Sequence, residues 1–253
     1  MNLDAYFDRI GWHGSRAATT EVLAPVLDHH MRAIPFENLD VLLGDKPRLD
    51  IGSLERKLVE RRRGGYCYEH ATLFAAMLTE LGFAVKTHSA RVVMVTARSS
   101  APRTHMFLSV GDLVLDPGFG GAAPRVPVPL DGTQAGAHRL SREGSEYVLE
   151  QDGQRLWMSS LEHDIPIDFE MANHFTATHP SSPFTQGLMM RAYTDDGGQV
   201  RVRGRDVTLM RGAETQTYQL ENRKQLRELV AAHFGFDLPA IESMHVPMVP
   251  EWR

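Results

Sequence analysis

The chain has a single cysteine, Cys67. One thiol excludes an internal disulfide framework and any multi-cysteine zinc or iron–sulfur site, and it suits a reducing compartment. Positive charge is not in excess either. The formal net charge of −5 argues against general nucleic-acid binding, and the one basic run, Arg61-Arg62-Arg63, reads as a solvated helix end or loop. No apolar run approaches the roughly 18 residues of a membrane span, so no membrane partner is expected. The start, Met1-Asn2-Leu3-Asp4-Ala5-Tyr6-Phe7-Asp8, has neither a basic n-region nor an apolar h-region. A Walker A lysine, a nucleophile-elbow serine and a His-Glu-x-x-His helix are missing as well, and no metal is expected. With 42% apolar and 23% charged positions among 253 residues, the chain reads as an ordinary globular cytoplasmic protein of one to three domains.

What is present centres on Arg61-Arg62-Arg63-Gly64-Gly65-Tyr66-Cys67-Tyr68-Glu69-His70. Downstream, Ala71, Phe74, Ala75, Leu78 and Leu81 recur with helical period and Gly82 supplies a stop, so Cys67 falls in or beside the first turn of a helix. Partial positive charge and unpaired N–H groups there favour a thiolate and can bind a developing oxyanion. Gly64 and Gly65 allow a tight turn and keep bulk away from the sulfur. The opposing reading is a buried, inert thiol; chemistry would need a histidine and a carboxylate from elsewhere.

The first 83 residues look helical, with a cap at Thr19-Thr20-Glu21 and a second helix over Ile51 to Glu60. Pro35 breaks any helix between them, and Glu37 is a candidate partner for an arginine beside the cysteine. From Ala84 the texture changes to strands, beginning with Val85 to Val95, which puts a boundary near residue 83. Gly118-Phe119-Gly120-Gly121-Ala122-Ala123 is a glycine-rich turn rather than a dinucleotide fingerprint, because Pro124 follows where a helix should start. Residues 125 to about 190 read as short strands of a small barrel or sandwich, with residues 173 to 184 as a connector. Asp195-Asp196-Gly197-Gly198 turns a hairpin, and Leu226, Leu229, Val230, His233 and Phe234 mark a last amphipathic helix.

One hairpin carries a geometric expectation. Closing Thr104–Asp116 on a Gly111-Asp112 turn pairs Val110 with Leu113, and stepping back pairs Phe107 with Asp116 and His105 with Gly118. His105 and Asp116 then share a face as diagonal neighbours, with Cβ atoms roughly 7 Å apart or less. A carboxylate on one imidazole nitrogen fixes the tautomer and leaves the other free to take a proton from a thiol. Among twelve histidines, His70 and His88 are the rival bases.

At this point the sequence resembles the arylamine N-acetyltransferase family. The resemblance rests on Arg63-Gly64-Gly65-Tyr66-Cys67-Tyr68-Glu69-His70, Ile34-Pro35-Phe36-Glu37-Asn38-Leu39, Thr104-His105-Met106, Leu115-Asp116-Pro117-Gly118-Phe119-Gly120 and Thr178-His179-Pro180-Ser181-Ser182-Pro183-Phe184, five blocks in the family's order. It implies an α+β architecture: a helical N-terminal domain (1–83), a β-barrel-like middle domain (84–190) and an α/β C-terminal lid (191–253). It also implies a cysteine-protease-like triad of Cys67, His105 and Asp116. The implied reaction is ping-pong transfer of acetyl from acetyl-coenzyme A to an arylamine, arylhydrazine or arylhydroxylamine. Phe36, Phe119 and Phe184 match positions lining an aromatic acceptor pocket, Thr104 and Gly118 match positions at the coenzyme, and Glu37 with Arg63 matches a structural ion pair. A homodimer is an open option.

The sequence departs from the family pattern in places. Ala71 stands where Asn is usual, Pro117 replaces a branched residue, the His105–Asp116 hairpin is short, and so is the second half. An ansamycin-type amide synthase would share the triad but take another donor. A catalytically silent homologue that binds coenzyme A or an aromatic ligand is a further alternative. A papain- or transglutaminase-type thiol hydrolase would not account for the Phe-bearing blocks.

Overall fold

The computed structural model describes residues 1–252. Helix α1 (Leu3–Ile10) opens on Asn2, whose side chain accepts from the Ala5 N–H at 3.1 Å, and closes on Gly11 in the left-handed region at φ 63°. Helix α2 (Thr20–Ala33) buries Val22, Leu23, Val26, Leu27 and Met31. Next come a two-residue strand β1 (Phe36–Glu37) and short helices α3 (Leu39–Leu42) and α4 (Ile51–Leu54). The α4 helix runs on to Glu60 with wider turns, the Arg61 N–H reaching back five residues to the Arg56 carbonyl. Helix α5 (Cys67–Glu80) is buried on several faces, through Cys67, Tyr68, Ala71, Leu73, Phe74, Met77 and Leu78. An apolar helix of that kind belongs at the centre of a fold.

A polar chain runs through this core. Tyr6 Oη lies 2.7 Å from His30 Nδ1, His30 Nε2 lies 3.0 Å from His70 Nδ1, and His70 Nε2 lies 3.2 Å from the Pro35 carbonyl. A carbonyl can only accept, so one assignment satisfies every member: His70 donates to Pro35, His30 donates to His70, and Tyr6 donates to His30. Both imidazoles are then neutral. Burial, reinforced by the Arg191 guanidinium, pushes His70 down to about 3.

Seven strands form one antiparallel sheet in the order β5-β4-β3-β2-β8-β7-β6: β2 (Val85–Val92), β3 (Arg103–Val110), β4 (Leu113–Leu115), β5 (Val128–Pro129), β6 (His138–Glu143), β7 (Glu146–Gln151) and β8 (Gln154–Ser159). The end strands β5 and β6 come back into contact, so the sheet curls almost into a barrel. The β3–β4 hairpin has the expected register, Val110 opposite Leu113 and Leu108 opposite Leu115, with Gly111 at φ 55° in the turn. The ladder stops there, so the Phe107–Asp116 and His105–Gly118 pairs are not formed as backbone pairs.

A second, five-stranded sheet has the order β1-β9-β10-β11-β12, from β9 (Met189–Tyr193), β10 (Gln199–Arg203), β11 (Asp206–Arg211) and β12 (Glu214–Gln219), with β1 at its edge. Buried Arg191 of β9 donates to the carbonyls of Met31 at 2.9 Å and Gly120 at 3.2 Å, tying this sheet to α2 and to the glycine-rich turn. Helix α8 (Arg223–His233) buries Leu226, Leu229 and Val230. No helix among the described residues is long and apolar enough to cross a membrane.

The stretch read from sequence as short strands holds two helices, α6 (Pro166–Thr178) and α7 (Pro183–Gln186), and part of the expected connector belongs to them. The periodicity misleads because Ile167 and Met171 are exposed while Asn173 and Thr176 are buried. The legible signal is at the start. Pro166 takes the first helical position and the Asp168 carboxylate accepts from the Ile165 N–H at 3.0 Å.

Tyr6→Phe keeps the ring but leaves a buried imidazole acceptor unpaired. It should lower the unfolding free energy by about 1–3 kcal/mol in urea titrations. Because folding pushes His70 below its ordinary value, the neutral pair's contribution is full above about pH 6.5 and is lost as pH falls toward 3.

Candidate active site

Cys67 is the first residue of α5 and is only 4% exposed. The chain reaches it through two glycines pressed against β1. The Gly65 N–H donates to the Pro35 carbonyl at 3.2 Å, and the Glu37 N–H donates to the Gly65 carbonyl at 2.9 Å. A Cβ on Gly64 would stand 2.2 Å from the Pro35 oxygen, closer than any side-chain atom can come. Gly64 is therefore fixed by space.

His105 of β3 and Asp116, just past β4, meet under the sulfur. His105 Nε2 donates to Asp116 Oδ2 at 2.8 Å, and both side chains are almost wholly buried. The remaining ring nitrogen, Nδ1, takes no part in that bond, and Cys67 is close enough to His105 to raise the imidazole's hold on a proton. The Gly118 N–H also donates to the carboxylate, at 3.3 Å on Oδ1, and the Trp157 indole donates to Oδ2 at 2.9 Å. His105 is thus oriented from one side by a carboxylate and faces a thiol on the other.

Thr104 and Gly118 flank the cysteine. The Thr104 carbonyl lies 3.9 Å from Sγ, and a Cβ on Gly118 would fall 2.6 Å from the Cys67 Cα. The three phenylalanines lie on this side as well. Phe119 meets the His105 ring edge-on at 4.8 Å, Phe36 tilts against Phe184 at 6.3 Å, and Phe184 packs on Tyr66 at 5.4 Å. Asn38 holds the Phe184 segment by donating to the carbonyls of Phe184 at 2.9 Å and Gly187 at 2.8 Å.

Behind the cysteine loop, Arg63 is paired with Glu37 at 2.7 Å, and the pair belongs to a larger network. Asp40 bridges Arg63 at 2.7 Å and Lys57 at 2.6 Å, and Lys57 also reaches Glu69 at 2.7 Å. Glu69 additionally accepts the Tyr66 N–H at 3.0 Å, capping the helix that carries Cys67. Burial raises Glu69 to about 7 against the pull of Lys57.

The rival bases are turned away. His70 is engaged by His30 and Pro35, and His88 by Ser109 at 2.8 Å and the Glu162 carbonyl at 2.8 Å. Sequence reasoning did not find Asp40, Lys57, Glu69 or Trp157. Glu69 was accessible as the acidic residue three places after a helix cap. Trp157 lies 41 residues from the Asp116 it touches, and no spacing rule points to it.

Burial alone would push His105 down, but the Asp116 carboxylate and the neighbouring Cys67 outweigh it and raise the imidazole to about 10. Folding therefore raises this group above its ordinary value near 6.5, so its stabilisation is full below that pH and is lost as pH climbs through about 10. Nitrogen-15 NMR of the imidazole should give a midpoint near that value in the wild type. In Asp116→Asn it should fall well below that value, because burial is then opposed by Cys67 alone.

The family model described as N-acetyltransferase matches residues 19–243. The arylamine N-acetyltransferase of Mycolicibacterium smegmatis is 37% identical over 94% of this chain and 93% of its own length. Among solved structures, the arylamine N-acetyltransferase from M. tuberculosis superposes with a TM-score of 0.87 at 34% identity, covering 96% of this chain and 98% of that one. The Mycobacterium marinum arylamine N-acetyltransferase in complex with CoA gives 0.87 at 33% identity, over 95% and 94% of the two chains. With a family model spanning most of the sequence and relatives aligned along nearly their whole length, the chain belongs to the arylamine N-acetyltransferase family and is an acyltransferase.

Proposed function

We propose that this enzyme moves the acetyl group of acetyl-coenzyme A to arylamines, arylhydrazines or arylhydroxylamines through an acetyl-cysteine intermediate on Cys67. The observation that carries the reading is the buried His105–Asp116 hydrogen bond beside Cys67, which stands at a helix N-terminus. The relatives' names support the acceptor class, and the M. marinum complex with CoA supports the donor. In this reading residues 1–83 carry the sulfur, 84–190 carry its histidine and aspartate, and 191–253 form the lid.

The geometry supports a two-stage exchange. The proton shared by Cys67 and His105 rests on the imidazole, Asp116 stabilises the imidazolium, and Sγ attacks the thioester carbonyl as the thiolate. The N–H groups of the first α5 turn face the resulting oxyanion. Collapse breaks the carbon–sulfur bond to coenzyme A, whose thiolate leaves with the proton from His105. The amine nitrogen then attacks the acetyl-cysteine carbonyl, His105 takes its proton, and Cys67 departs as the thiolate, which restores the starting pair. Thr104 and Gly118 flank the thioester, and Phe36, Phe119 and Phe184 receive the arene and keep water from the intermediate. Glu37 and Arg63 hold the cysteine loop from behind.

Initial-rate measurements with acetyl-coenzyme A and an anisidine-like amine should give parallel double-reciprocal lines, as a two-stage exchange requires. Cys67→Ser should lose the activity by at least about 10³-fold with its fold intact. Intersecting lines would point to direct transfer in a ternary complex and remove the covalent intermediate.

A further inference from the structure

We infer that Trp157 is a positioning residue for the transfer reaction, its indole N–H holding the carboxylate that orients His105. The inference rests on the role proposed above for Asp116. Trp157 is fully buried on β8, and its Nε1 donates to Asp116 Oδ2 at 2.9 Å. The same oxygen takes the His105 Nε2 proton at 2.8 Å, whereas Oδ1 has only the longer 3.3 Å bond from the Gly118 N–H. Both short bonds thus converge on one oxygen and fix where it lies. Without the indole, the carboxylate could turn about its Cβ–Cγ bond and carry the imidazole with it.

An indole suits this role chemically. It is a donor only, so it cannot reverse as a hydroxyl or an amide can. It is neutral, so it steers the carboxylate without cancelling the charge that raises His105. The ring is itself immobile: Phe107 stacks on it with centroids 4.3 Å apart and an interplanar angle of 25°, and its strand neighbours are Val92 and Leu149. Phe107 lies two residues from His105 on β3 and parallels its ring at 14°. One aromatic stack therefore braces both donors to Oδ2.

The test is a double-mutant cycle read on a single half-reaction, the rate at which acetyl-coenzyme A acetylates Cys67, with folding checked by circular dichroism and thermal unfolding. Trp157→Phe should slow this step roughly 10-fold, the loss of one charge-assisted hydrogen bond, with the dissociation constant for coenzyme A unchanged. The slowing should vanish when Asp116→Asn is already present. Benzothienylalanine at position 157, which keeps the bicycle but replaces the N–H with sulfur, should behave like Phe.

Wild-type rates for Trp157→Phe or for the benzothienyl variant, or a slowing that persists unchanged in Asp116→Asn, would make Trp157 a packing residue and overturn the inference while leaving the triad reading intact. A wild-type rate for Asp116→Asn alone would remove the triad reading, and this inference with it.

Discussion

A carboxylate with no access to water must be given hydrogen-bond donors or lose its charge, and Asp116 is completely buried. Its donors come from three places in the chain: the His105 imidazole on β3, the backbone of Gly118 just beyond it, and the Trp157 indole on β8. Supplying them obliges the curled sheet to place β8 only one strand, β2, away from β3, so that Trp157 reaches across to Asp116. It also sets the protonation of His105, which would otherwise be driven down by its own burial. A charge kept in the core for the sake of its neighbour is the pattern expected of a functional site rather than of stability alone.

The sulfur is delivered to that charged pair by close approaches only glycine permits. Gly64 lets the cysteine loop lie against Pro35, and Gly118 lets the chain leaving Asp116 cross the start of α5 within contact of the Cys67 backbone. Side-chain bulk at either point would separate the helical segment from the sheet. The five-membered network of Glu37, Asp40, Lys57, Arg63 and Glu69 then holds the loop from behind, and Glu69 caps the helix on which the thiol stands. Asn38 and Arg191 extend the same fixation to the Phe184 segment and the five-stranded sheet.

Much of this was legible from residue order. The helix after Cys67 and the hairpin register through Leu108 and Leu115 follow from local rules, apolar period and turn chemistry. The meeting of His105 with Asp116 follows from the same hairpin, because a short closed turn converts sequence separation into distance. Helix α6 was not legible, since its buried residues include Asn173 and Thr176 and its exposed ones Ile167 and Met171. Trp157 and Lys57 were out of reach for another reason: their partners are set by how separate elements pack, and no spacing within one element encodes that. The family resemblance supplied the phenylalanines, which composition and periodicity alone would assign to the core.

The proposed reaction depends on one covalent event, the arrival of an acetyl group on the single cysteine of the chain. Intact-protein mass spectrometry after brief exposure to acetyl-coenzyme A observes it directly. The prediction is a gain of one acetyl group on the wild type, none on Cys67→Ser, and discharge of the adduct when an aromatic amine is added. A wild-type protein that stays unmodified while it still acetylates the amine, or an adduct that survives in Cys67→Ser, would contradict it.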